Sequence, residues 1–102
     1  MKNKRIQLGP HLITEHFLAR FQERFQMGTG ELLILLNKSK RIKKCKLNKY
    51  RVISAHKRHR HGIRTRFYVI YNILFIKHGE VFVTCFHANS YGLSKCIKDT
   101  NN

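Results

Sequence analysis

Twenty-one lysines and arginines against five acids leave this chain with a formal charge of +16, and that imbalance limits what it can fold into. Compaction brings like charges together, so self-repulsion opposes folding and an anionic partner relieves it. The charge is not confined to a tail. Basic residues run from Lys2 to Lys98 and are densest at Lys38–Lys49 and His56–Arg66. The core must come from the apolar segments between these stretches. A length of 102 residues and a hydrophobic content of 42% fit one domain spanning 1–102, with a stability of about 5–10 kcal/mol.

Those segments set an order of elements. Residues 1–11 read as a basic arm ending at Gly9-Pro10, 12–88 as the globular core and 89–102 as a polar tail. Thr14 is placed to cap a helix with Glu15 in its first turn, and Phe17, Phe21 and Phe25 recur at helical spacing beside Leu18. Gly28 should end that helix near Met27. A short second helix follows over Glu31–Asn37. Its Leu-Leu-Ile-Leu-Leu centre is apolar all round and so should be buried between the first helix and a sheet.

After Ser39 the pattern turns to strands. Lys40–Leu47 is a weak one and Tyr50–Ser54 a better one. Arg66–Lys77 carries the strongest strand signal, rich in Phe, Tyr, Val and Ile. His78-Gly79-Glu80 is a turn, and Val81–His87 returns. Strict alternation places Val81, Val83, Cys85 and His87 on one face, with Phe82, Thr84 and Phe86 on the other. The expected fold is α+β, with two N-terminal helices packed on a three- to four-stranded antiparallel sheet.

Several chemistries are excluded or disfavoured. The acids Glu15, Glu23, Glu31, Glu80 and Asp99 stand singly, so no carboxylate cluster is present to hold catalytic magnesium. Cys45, Cys85 and Cys96 form no CxxC pair and suggest neither a zinc ribbon nor a disulfide framework, but free thiols in a reducing cytoplasm. His56, His59 and His61 offer imidazoles, but Lys57, Arg58, Arg60, Arg64 and Arg66 around them repel a cation. No metal or cofactor is therefore expected. Gly-rich phosphate loops and serine elbows are absent, which disfavours kinases and hydrolases of those types. No stretch approaches the ~20 apolar residues of a membrane span, and the basic Met1–Pro10 segment lacks the apolar run of a secretory signal.

Two groups of residues carry positive candidates. His16, Arg20 and Arg24 are spaced by four and so share one helical face. An imidazole can move protons near neutral pH, and two guanidiniums a turn apart can hold a phosphate. Attack of an RNA 2′-hydroxyl on its own phosphodiester needs such groups and no metal. A solvated basic helix face accounts for the same spacing. His87, at the end of the last strand, is the second acid/base candidate if the first helix crosses the sheet, and an ordinary strand-end histidine otherwise. Lys43, Lys44, Lys46, Lys57, Arg58, Arg60, Arg64 and Arg66 are candidates for gripping a phosphate backbone. Phe67, Tyr68 and Tyr71 lie beside them and could stack on unpaired bases, though core packing is expected for at least two of the three.

Thr14, His16, Arg20 and Arg24 at the head of the first helix, with Val83-Thr84-Cys85-Phe86 on the last strand, resemble the small RelE-like and BrnT-like toxin domains. These belong to the barnase–EndoU–colicin–RelE group of ribonucleases. The resemblance covers about residues 12–88. It implies metal-independent cleavage of RNA by a toxin or a phage or mobile-element effector. The long basic stretch from Lys38 to Arg66 departs from that pattern. Two further readings stay open: a non-catalytic RNA- or DNA-binding regulator of the same fold, and a basic module for an acidic host protein or antitoxin. Each expects a cytoplasmic protein with no membrane, and nucleic acid, RNA favoured, is the partner most consistent with the charge.

Overall fold

The structure, a computed structural model, describes residues 4–42 and 65–87. Its elements are β1 (Arg5–Leu8), β2 (His11–Thr14), α1 (Glu15–Phe25), α2 (Thr29–Lys38), β3 (Lys40–Arg41), β4 (Thr65–Ile70), β5 (Ile73–His78) and β6 (Val81–His87). The strands form one sheet in the order β1-β2-β6-β5-β4-β3. Every neighbouring pair is antiparallel except β2–β6, which is parallel. The expected sheet of three or four antiparallel strands behind two leading helices is thus corrected. The sheet is six-stranded and mixed, and two of its strands precede the helices.

The reason lies in the segment read as a basic arm. Ile6 and Leu8 are half-buried while Arg5 and Gln7 are exposed, a period of two that the surrounding charges conceal. Gly9, at φ 59°, supplies the left-handed residue that turns the chain between β1 and β2. It also lies under α2: a Cβ there would come within 2.7 Å of a Leu33 methyl. From β2 the chain runs through both helices to β3 at the far edge. It then returns strand by strand until β6 lies beside β2, and that long crossover permits the parallel pair.

Both helices lie on one face of the sheet. Thr14 caps α1, its hydroxyl accepting from the Phe17 N–H at 3.0 Å. Phe17 and Phe21 are fully buried. The Phe17 ring lies 5.7 Å from Phe75 and 5.8 Å from Phe82, and Leu32, Leu35 and Leu36 of α2 join the same core. Helix α1 ends earlier than expected, at Phe25, with Gln26 as the left-handed cap at φ 54°. Gly28 begins α2 instead, its N–H donating to the Glu31 carboxylate at 3.0 Å. Helix α2 is not buried all round, because Ile34 is 54% exposed.

Two further expectations fail within the sheet. The single strand expected over Arg66–Lys77 is a hairpin, closed by the Ile70–Ile73 pair around Tyr71-Asn72. Its strands are buried on both faces. Ile70, Ile73 and Phe75 lie under the helices, while Phe67, Val69, Leu74 and Ile76 on the opposite face are also buried. The apolar run therefore continues unbroken, and a turn without glycine is hidden in it. In β6 the register passes from Ile76–Thr84 to Lys77–Phe82, which leaves Val83 as an extra residue. This bulge rotates Phe82 onto the helix-covered face with Cys85 and His87, against the strict alternation expected.

Replacing Phe21 with Ala should lower the unfolding free energy by about 3–5 kcal/mol, because a fully buried ring is removed. Tyr71 holds φ 50° while 68% exposed, a conformation that costs a bulky L-residue roughly 1–2 kcal/mol. Tyr71→Asn should therefore raise stability by about 0.5–1 kcal/mol. Urea unfolding of the three proteins checks both signs.

Candidate nucleic-acid interface

The helix-face candidates divide into a free end and a fastened end. His16 is exposed at the start of α1. Arg20 pairs with Glu23 at 3.2 Å, with side chains 40% and 65% exposed, an interaction of about 0–1 kcal/mol. Arg24 is tied to β6. Its guanidinium donates to the Cys85 carbonyl and lies 5.0 Å from the Phe86 ring centre. The Arg24 carbonyl accepts from Nε2–H of His87 at 3.0 Å, and the His87 ring rests 4.3 Å from that of Phe25. His87 thus meets the last turn of α1, whereas His16 lies about 12 Å up the helix axis at about 1.5 Å per residue. The two histidines do not meet over one scissile bond, and Arg24 and His87 serve as the bolts between helix and sheet.

Cys85 and Thr84 of the strand motif are both buried, Cys85 under the helices and Thr84 on the opposite face. Burial pushes the Cys85 thiol up to about 12, against a smaller lowering by the Arg24 guanidinium. At neutral pH it is a protonated, apolar filler and no nucleophile.

Of the basic residues expected to grip phosphate, Lys43, Lys44, Lys46, Lys57, Arg58, Arg60 and Arg64 lie outside the described residues, as do the His56/His59/His61 loop, the Tyr50–Ser54 strand, Cys45 and Cys96. Arg66 is described. Its Nη2 donates to the Gly79 carbonyl at 2.9 Å and pairs with Glu80 at 3.3 Å, so it braces the β5–β6 turn.

The sheet register brings Arg66 and Tyr68 together with Lys77, Arg41 and His11, for which the sequence carries no local signal. Arg66, Lys77 and Phe82 are successive partners in one row across β4, β5 and β6. Arg41, Tyr68 and Phe75 form the next row across β3, β4 and β5, on the same face. The Lys77 ammonium lies 5.1 Å from the Phe82 ring centre and 6.0 Å from that of Tyr68, and the two rings meet edge to face at 5.5 Å. From β2, the His11 ring approaches Phe82 at 5.8 Å, and its Nε2–H donates to Oδ1 of Asn37 at 2.7 Å. Lys77, Tyr68 and His11 are half-buried and Arg41 is exposed. Among the described residues neither Lys77 nor Arg41 pairs with a carboxylate. Only the bulged register reveals this cluster, so no local motif could have disclosed it.

The architecture is a helix-on-sheet α+β layout with a cationic, aromatic patch on the helix-bearing face. No protein-family model matches the chain, and comparison with curated proteins and with solved structures gives no match. The likeness to RelE-like toxins therefore rests on the short motifs alone. Among the described residues no three His, Cys, Asp or Glu are grouped to hold a metal, and no helix is long and apolar enough to cross a membrane.

Removing Arg24 breaks its charged hydrogen bond to the Cys85 carbonyl and its contact with Phe86, so Arg24→Ala should cost about 1–3 kcal/mol. Arg20→Ala should cost less than about 1 kcal/mol. Equal losses in thermal unfolding would contradict the bolt assigned to Arg24. The Cys85 thiol sits above its ordinary value in the folded chain, so the stability it supports is complete below pH 9 and is lost as pH rises towards 12. In a Cys45→Ser/Cys96→Ser background, Cys85 should resist a thiol reagent at pH 8 until the chain unfolds. The fall in stability between pH 9 and 12 should be shallower in Cys85→Ala.

Proposed function

We propose that this chain binds nucleic acid, RNA favoured, through its phosphates. One observation carries the reading: the cation excess is left without carboxylates. The whole chain has 21 Lys and Arg against five acids, and among the described residues only Arg20 and Arg66 pair with a carboxylate. Lys38, Lys40 and Arg41, at the β3 end of the sheet, are exposed. A polyanion that releases counterions on binding is the partner such a surface favours. Aromatic rings beside the cations favour strands whose bases are unpaired, as in RNA loops and ends.

The toxin-like resemblance would add cleavage to binding. The separation of His16 from His87, and the use of Arg24 and His87 as bolts, weigh against a catalytic pair at those positions. Binding without cleavage is the better supported function. Purified chain mixed with labelled single-stranded RNA in EDTA should retain intact RNA. Its affinity should fall with salt at a log–log slope near −4 if about six phosphates are held, or near −5 on a duplex. A flat salt response would remove the phosphate-led interface. RNA fragments ending in 2′,3′-cyclic phosphate would replace the binding reading with the ribonuclease one.

A further inference from the structure

Resting on that reading, we infer that the patch formed by Arg41, Tyr68, Lys77 and Phe82 is where the chain seats an unpaired nucleotide of a single strand. Tyr68 supplies the ring on which the base stacks, while Lys77 and Arg41 hold the flanking phosphates.

The register places all four side chains on one face, in two adjacent rows across β3 to β6. That face is shared with the helices, yet Arg41 is exposed and Tyr68 and Lys77 are only half-buried. The sheet here is therefore not sealed as it is at Phe75 and Cys85, which are fully buried. Lys77 is held over aromatic rings rather than over a carboxylate. A cation stationed against two rings keeps its full charge for an incoming anion, and the rings set its position. Phe82 is 2% exposed, so it serves as the floor, and Tyr68 is the ring left for stacking. Arg66 is occupied by Gly79 and Glu80, which leaves Lys77 and Arg41 as the cations of the patch.

This chemistry selects single strands. Stacking needs a base face that a duplex hides, and a sheet studded with an aromatic flanked by cations meets bases and backbone together. A base and its phosphates are common to RNA and DNA, so both strands enter the test.

The experiment compares the full chain with Arg41→Gln/Lys77→Gln, Tyr68→Leu, Tyr68→Phe and Lys4→Gln/Arg5→Gln, the last pair altered at the opposite sheet edge. Each is titrated with a fluorescent oligonucleotide as single-stranded RNA, single-stranded DNA and duplex RNA. Circular dichroism melts confirm folding. Loss of Arg41 and Lys77 should weaken single-strand binding roughly tenfold or more and make the salt slope shallower by about 1.4, or about 0.7 per phosphate released. Tyr68→Leu should weaken it by roughly 5- to 100-fold, while Tyr68→Phe, which keeps the ring, should stay within about twofold. The Lys4/Arg5 pair should leave the slope unchanged. A preference for RNA over DNA would add the ribose hydroxyl to what the site reads, and equal affinity would confine it to base and phosphate. Wild-type binding that none of the patch variants alters, or that is as tight for duplex as for single strands, would overturn this site while leaving nucleic-acid binding intact. Failure of the wild-type chain to bind any strand would overturn both.

Discussion

The Phe82 ring is the joint on which this structure depends. It stands where β6 pairs in parallel with β2, opposite Ile13, and it touches Phe17 of α1 and Phe75 of β5. The bulge at Val83 aims it there. Without the extra residue, Phe82 would point to the other face, and α1 would lose the Phe17–Phe82 contact with β6. The same ring contacts Tyr68, Lys77 and His11. One local departure from strict alternation therefore completes the core and assembles the cationic patch beside it.

The shortage of acids shapes everything around that joint. With so few carboxylates, a half-buried cation must find other company. Arg24 uses a backbone carbonyl and a phenyl face, Arg66 a backbone carbonyl and one glutamate, and Lys77 two aromatic rings. Carbonyls and rings hold a cation in place without cancelling its charge. The fold can thus be tied together by its arginines while the surface remains strongly positive, the condition a phosphate-binding protein requires.

Parts of this were legible in the sequence. Thr14 as the cap, the Phe17/Phe21/Phe25 stripe and the Gly79-Glu80 turn into β6 all follow from local chemistry, and all stand. The β1–β2 hairpin was not legible, because Ile6 and Leu8 are two apolar positions among basic neighbours. The turn at Tyr71-Asn72 was hidden for the opposite reason, since apolar residues on both faces leave no polar break and no glycine marks the tip. Of the site, Arg66 and Tyr68 were marked by charge and ring. Lys77, Arg41 and His11 were not, because they meet only through a register that spans β2 to β6 and turns on a bulge. His16 and His87 show the converse. Each carries suitable chemistry, but the length of α1 lies between them.

Backbone amide shifts of the isotope-labelled chain during titration with a short single-stranded RNA would test the central claim most directly. The account predicts that Arg41, Tyr68, Lys77 and Phe82 shift together and saturate at one stoichiometry, while His16 and Arg20 on α1 remain in place. Shifts concentrated on His16 and Arg20, with Lys77 and Tyr68 unmoved, would contradict it.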